Sequence, residues 1–300
     1  MDSAKIFDFS HFTGMNNVDK AFRLPIVGTR MGYSLTDMET LENVDIDNQF
    51  ILTTRQGSDL KLAGTDIHSL WSDGETCLFV DYDTLYRLEI DYTSTSVLSG
   101  LLPGARMSYA PWNDRIYLTN GSYIGYYKDS ATALSDPSIT YKLPLPPGQR
   151  IAYYRGRLYV AKGSVLYISD ALSDHYDVRS GYRAFENDIT MLIPVDNGLY
   201  VADGRTWFVP GTEPEEFQKM MVYDADVIPF TDKNINGENI GDGSVGKMAI
   251  WVASDGICLG DNNGQVKNLT RVRYAMSTHG EGGAAVRKED GLTHYITTLS

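Results

Sequence analysis

RLYVAKGSVLYISD, residues 157–170, is a short apolar run, a glycine turn and a second apolar run. Near-copies recur along the chain: CLFVDYDTLYRLEI at 77–90, RIYLTNGSYIGYYKD at 115–129, GLYVADGRTWFVPG at 198–211 and ICLGDNNGQVKNL at 257–269. Runs of this length, rich in Val, Ile and Tyr and bounded by Gly, Asn and Asp, read as β-strands joined by tight turns. A first strand precedes each, IHSLW, RMSYA, RIAYY, TMLIP and KMAIWV, and GAAVR opens a sixth unit with HYIT. The turns that follow carry Gly74, Asp114, Gly156, Gly198, Gly256 and Gly291, at intervals of 40, 42, 42, 58 and 35 residues by subtraction. DG and NG turns favour the positive φ that a two-residue hairpin needs. A period near 40 residues built from short strands is the signature of propeller blades, since one blade cannot bury its own faces.

The fold expected is therefore all-β: a single β-propeller, six blades of about four strands each. The last unit stops after two strands, whereas 44–64 (NVDIDNQFILTTRQG and LKLAG) has strands without first strands of its own. Pairing the two would complete a sixth blade by N-to-C strand exchange and remove two open sheet edges. Counts of five or seven blades stay open, because the 58-residue interval has room for extra strands. That interval predicts an inserted loop over 211–245, with a Gly/Asn-rich flexible stretch at 234–244. Residues 1–43 lack the period and read as an extended arm, with a short helix near 36–42 capped by Ser34 or Thr36.

Composition narrows the function classes. The 300 residues are 42% hydrophobic with 20 Tyr, which suits half-buried sheets. A formal net charge of −13 argues against a broad basic footprint for holding nucleic acid. RVRY at 271–274 is the best basic–aromatic cluster and is read as an exposed strand. Cys77 and Cys258 occupy equivalent strands of non-adjacent units, too far apart to bridge, and are expected as buried free thiols from a reducing cytoplasm. No signal peptide is expected from MDSAKIFDFSHF, and no run approaches the ~18 apolar residues of a membrane helix.

Chemistry-bearing constellations are scarce. The six first strands contain no Asp or Glu, whereas a glycosidase needs paired carboxylates near the channel mouth. Asp73, Asp114, Asp203, Asp255 and Asp290 sit at turn tips, where Asp serves the backbone. His11, His68, His175, His279 and His294 show no metal-ligand spacing, though His68 lies in a first strand and so could face the channel. DIDN at 45–48 and DNNG at 261–264 are weak calcium candidates. No catalytic residues, cofactor or metal are expected. NGS at 120 and NLT at 268 are read as chance matches to glycosylation sequons.

FTGMNNVDKAFRLP at 12–25, ENVDIDNQFILTTRQG at 42–57 and HSLWSDGETCLFVDYDTLYRL at 68–88 resemble a family of phage and prophage virion proteins. The resemblance implies a non-enzymatic tail component of the nozzle or hub type, a homo-oligomeric ring such as a hexamer through whose lumen DNA passes. It implies contacts with other tail proteins on the adaptor or portal side and with fibres, no specific nucleic-acid binding, no membrane insertion, and a place in the virion after synthesis in the host cytoplasm. An acidic lumen would let DNA slide. Phe12, Met15, Asn16, Asn17, Phe22 and Arg23 are the interface residues expected in the arm. Two further readings stand beside this one: a receptor- or carbohydrate-binding propeller, and a propeller enzyme acting on glycans.

Overall fold

The computed structural model describes residues 59–211, 217–240, 243–271, 280–289 and 292–299, together with strands His11–Met15, Ile26–Arg30, Tyr33–Met38, Val44–Ile46 and Leu52–Thr54. The described residues are all-β, and five four-stranded antiparallel sheets follow one another along the chain as propeller-like blades. The first blade is Ile67–Ser72, Cys77–Asp81, Thr84–Leu88 and Ser94–Leu98. The second is Ser108–Trp112, Arg115–Thr119, Ile124–Tyr127 and Ala131–Ala133. The third is Arg150–Tyr154, Arg157–Lys162, Val165–Ile168 and Tyr182–Ala184, with an accessory pair, Lys142–Pro144 and His175–Asp177, beside it in sequence. The fourth is Met191–Val195, Gly198–Ala202, Thr206–Pro210 and Met220–Tyr223.

Local chemistry explains the hairpins. Asn113 and Asp114 both hold positive φ, 52° and 60°, between the paired residues Trp112 and Arg115. Arg155 and Gly156, at 44° and 81°, do the same between Tyr154 and Arg157. These mirror-image turns match the right-handed twist of the flanking strands.

The core lies between blades. Leu78, Leu85, Met107 and Leu118 join the first blade to the second, and Tyr117, Ile151, Leu158 and Val160 join the second to the third. Tyr159, Leu166, Leu192 and Val201 join the third to the fourth; Met191, Tyr200, Phe208 and Trp251 join the fourth to the fifth. Hydroxyls add register on the inner strands: Ser69 Oγ accepts from Met107 N at 2.8 Å, and Ser108 Oγ from Ile151 N at 3.1 Å.

The fifth blade departs from the sequence expectation. Its strands in spatial order are Lys233–Asn236, Lys247–Ala253, Gly256–Gly260 and Val266–Asn268. KMAIWV is thus second, not first. Six of the seven residues of its strand are buried, as a strand covered on both faces requires. The expected inserted loop is corrected with it: within 211–245 lie the outer strand Met220–Tyr223, the inner strand Lys233–Asn236 and a 3₁₀ turn at Gly237–Asn239. Asn236 caps that turn by accepting from Glu238 N.

A C-terminal hairpin follows, Gly282–Glu289 with Leu292–Leu299. It packs on the fifth blade through Tyr295, against Met248 and Ile250. The predicted strand exchange is not among the hydrogen-bonded pairings of the described strands: Val44–Ile46 pairs with Leu52–Thr54, and the C-terminal strands pair with each other. In the predicted arm, Tyr33–Met38 lies between His11–Met15 and Ile26–Arg30 in a three-stranded sheet. The expected helix near 36–42 is corrected over 36–38, where the backbone is strand: Thr36 pairs with Phe12 and Ile26, and Asp37 and Met38 pair with Gly14 and Met15.

Candidate functional site

Inner strands of successive blades run in the same direction, so their first residues gather at one end of the axis. Arg106 precedes the inner strand of the second blade, Arg150 opens that of the third, Thr190 precedes that of the fourth, and Phe230–Asp232 precede that of the fifth. Glu281 and Gly282 open the C-terminal hairpin and His68 lies in the first blade.

These residues meet. Arg150 donates from Nε and Nη2 to the Thr190 carbonyl at 2.9 and 2.7 Å, with its guanidinium 3.7 Å above the Phe230 ring. Its Nη1 is 3.7 Å from Asp232 Oδ1, an ion pair too long for a hydrogen bond. Arg106 reaches the same ring at 5.1 Å, donates to the Gly282 carbonyl at 2.6 Å and lies 3.4 Å from Glu281. Arg150 is only 5% exposed, and burial pulls its pKa down against the opposing pull of Asp232 and Glu281. His68 bonds Ser69 Oγ through Nδ1 at 2.7 Å, while its buried Nε2 has no hydrogen-bond partner among the described residues. Burial lowers the His68 pKa, Asp66 and Asp81 oppose it, and Arg106 adds to the lowering.

Phe230 holds φ +66°, a conformation that costs about 1–3 kcal/mol in a bulky residue and persists only where its surroundings hold it. They do: Thr231 Oγ donates to the Ile228 carbonyl, Gly282 N to the Pro229 carbonyl, and Tyr295 Oη to the Thr231 carbonyl. The cluster therefore staples the second, third, fourth and fifth blades and the last hairpin across this end of the axis. Its two arginines are tied to backbone carbonyls, an aromatic face and carboxylates.

Beyond the far ends of the inner strands of the fourth and fifth blades, beside the C-terminal hairpin, lies a depression of about 500 Å³. Asp196, Asn234, Asn236, Glu238, Lys247 and Lys288 line it, with Ile235 and Val286 as the apolar wall.

The residues singled out in the sequence distribute differently. Phe12 and Met15 lie in His11–Met15, in register with Thr36 and Met38; Asn16, Asn17, Phe22 and Arg23 lie outside the described residues. Asp73 accepts from Glu75 N and Thr76 N, as turn chemistry predicts. Asp261 of DNNG does likewise for Asn263 N and Gln265 N. Asp203 is more than a turn residue: it is buried and accepts from Trp207 Nε1 and Glu186 N. His175 sits in an accessory strand with Nδ1 2.6 Å from Ser173 Oγ. Among the described residues no group of three or more His, Cys, Asp or Glu is arranged to hold a metal ion. Cys258 is buried and free as expected; Cys77 is free but only half-buried. Carboxylate patterns in the sequence do not point to the arginine cluster. Its signal is present: Arg106 and Arg150 each stand two residues after a glycine at the start of an inner strand, in GARM and GQRI.

No family model matches the chain, and no curated protein matches it. Solved structures do, at the level of fold. The N-terminal domain of Nup159 is similar with a TM-score of 0.51 and 11% identity, over 83% of this chain and 76% of that one. The WD40 β-propeller domain of Doa1 gives 0.48 and 15%, over 78% and 83%. A gluconolactonase from Xanthomonas campestris gives 0.46 and 11%, over 79% and 87%. Together with the sheet topology, the likeness to the Nup159 domain makes the fold an all-β, propeller-like one. It also corrects one expectation. The sequence leads to a protein without enzymatic activity, yet a gluconolactonase stands among structures of similar fold, so the architecture does not exclude catalysis. At this identity the likeness assigns no activity.

Proposed function

We propose that the chain is a structural subunit of a bacteriophage tail, a propeller scaffold that joins copies of itself in a ring and attaches neighbouring tail proteins. In this reading the propeller has six blades, and 44–64 completes the last one through Val44–Ile46 and Leu52–Thr54, with LKLAG at 60–64, expected as strand, lying outside the strands. The strand count supports it: every complete blade has four strands, the C-terminal hairpin supplies two, and Val44–Ile46 with Leu52–Thr54 is a ready antiparallel pair. The segment 1–43, including Phe12, Met15, Asn16, Asn17, Phe22 and Arg23, is the contact arm between subunits. DNA passes through the lumen of the ring of subunits, because the propeller's own axis is stapled at one end. The protein resides in the virion.

The observation that carries the proposal is an open seam. Apolar clusters fill each junction from the first blade to the C-terminal hairpin, and none among the described residues joins that hairpin to the first blade. On the inner strand of the first blade Ile67 is 41% and Leu70 64% exposed, whereas the inner strand of the third blade is almost wholly buried. A seam of this kind calls for covering chain, and the N-terminal words point to virion assembly as its setting. Sequencing the DNA around the reading frame tests the setting: portal, terminase, capsid and tail genes are expected, and sugar-metabolism or transport genes would overturn it. Deleting residues 1–40 should leave a folded propeller that no longer assembles. Unimpaired assembly would remove the arm from the proposal.

A further inference from the structure

The polar depression between the fourth blade, the fifth blade and the C-terminal hairpin has no part in the tail reading, and its chemistry is specific. Its volume of about 500 Å³ falls in the range of small-molecule sites. Most of its lining residues carry charged, amide or hydroxyl side chains, and an apolar ligand would leave these without partners. Lys247 and Lys288 both face it, and neither ammonium has an ion-pair or hydrogen-bond partner among the described residues. Lys162, Lys233 and Lys267 are likewise without one, but of these five lysines only Lys247 and Lys288 line the depression. Lys61, Lys128 and Lys142 each pair with a carboxylate. Although Lys247 is exposed as a residue, enough protein surrounds its ammonium for burial to lower its pKa, with Asp196 opposing.

The acceptors are fixed in place. Asn234 Nδ2 donates to the Pro194 carbonyl at 2.8 Å and to the Met248 carbonyl at 3.2 Å, which sets the plane of the amide. Asp196 Oδ2 accepts from Lys247 N at 2.8 Å. Gly246, at φ +81°, lets the chain pass this carboxylate, since a Cβ there would collide with Asp196. Asn236 and Glu238 add a capped turn at the rim. The wall thus offers two ammoniums without an ion-pair partner for one negative group, with Asp196 acting on Lys247 from a distance, and oriented amides and carboxylates for hydroxyls.

We propose that this depression binds an acidic saccharide, its carboxylate at Lys247 and Lys288 and its hydroxyls on Asn234, Asn236, Asp196 and Glu238. A simple anion would use the lysines alone and meet the two carboxylates unfavourably; a neutral saccharide would leave both ammoniums unused. The site goes beyond the tail proposal and stands or falls separately from it.

Isothermal titration of the full chain with trigalacturonate, maltotriose and inorganic phosphate tests the assignment. Trigalacturonate should bind, weaken as salt is raised, and lose about tenfold in affinity in each of Lys247→Gln and Lys288→Gln, the scale of one charge-assisted contact. Unchanged urea denaturation curves would show that both variants are folded. Absence of trigalacturonate binding, equal binding of maltotriose, phosphate binding as tight as trigalacturonate, or indifference to both substitutions would each overturn the proposal. None of these outcomes bears on the flanking genes, which decide the tail reading.

Discussion

Replacing Arg150 with Met tests whether the staple at the closed end of the axis holds the propeller together. Met keeps much of the aliphatic volume and removes the guanidinium. Two charge-assisted bonds to the Thr190 carbonyl, at 2.9 and 2.7 Å, are lost, together with a ring contact at 3.7 Å. Bonds to a charged group contribute about 1.5–3 kcal/mol each, and a desolvated cation–π contact about 2. The gross sum does not carry through, because the native state already bears the cost of desolvating the guanidinium, several kcal/mol per buried ion. What remains is the penalty for taking one partner from a buried pair, about 3–5 kcal/mol, since Asp232 is left without its countercharge. Urea denaturation should show that loss as a lowered midpoint with an unchanged slope. Asp232→Asn placed in the Arg150→Met background should restore at least ~1 kcal/mol, because it removes the stranded charge. Arg106→Met should cost less, since Arg106 is 28% exposed and its partner Glu281 55%. A midpoint for Arg150→Met within ~1 kcal/mol of the parent, or equal to that of Arg106→Met, would refute the stapling role.

Leu158→Ala, at a position with no exposed surface, should cost about 2–5 kcal/mol by urea denaturation. Leu70→Ala on the open seam should stay within ~0.5 kcal/mol in the same assay. Gly264→Ala should cost about 2–5 kcal/mol, because φ is +91° there and a Cβ would sit 2.5 Å from the buried Phe208 ring; a neutral result would mean the turn can shift. Burial pushes the Cys258 thiol up to about 12, with Asp255 adding to the rise and the Tyr223 hydroxyl opposing it. The unfolded thiol ionises near pH ~8.5. Its contribution is therefore fully present below that pH and is lost as pH climbs toward 12, so the stability of the parent should fall more steeply over this window than that of Cys258→Ala. At pH 8 a thiol reagent should reach the half-buried Cys77 first, and Cys258 only on unfolding.

Short-range chemistry made the repeat legible in the sequence. Turn residues such as Asn113, Asp114 and Gly156 set positive φ within two positions, and the flanking runs of Ile, Leu, Val and Tyr commit each hairpin before any distant contact forms. Blades one to four follow from that alone. The fifth does not: KMAIWV matches the pattern of a first strand, and only packing against the fourth blade and the bridge of Ala253 to Val227 show that Lys233–Asn236 has taken the inner place. The strand signal of NIN is weak because its stability comes from neighbours rather than from its own residues.

Both ends of the axis were decided by tertiary structure for the same reason. Arg106 and Gly282 are 176 positions apart, Thr231 and Tyr295 64, and Asn234 and Pro194 40. Nothing local couples such pairs. Laying inner strands side by side around one axis brings their first residues together at one end and their last at the other. The sequence by itself determined that strands of this kind would recur; the arrangement of blades determined which of their end residues would meet, and hence where an arginine becomes a staple and where a lysine is left free.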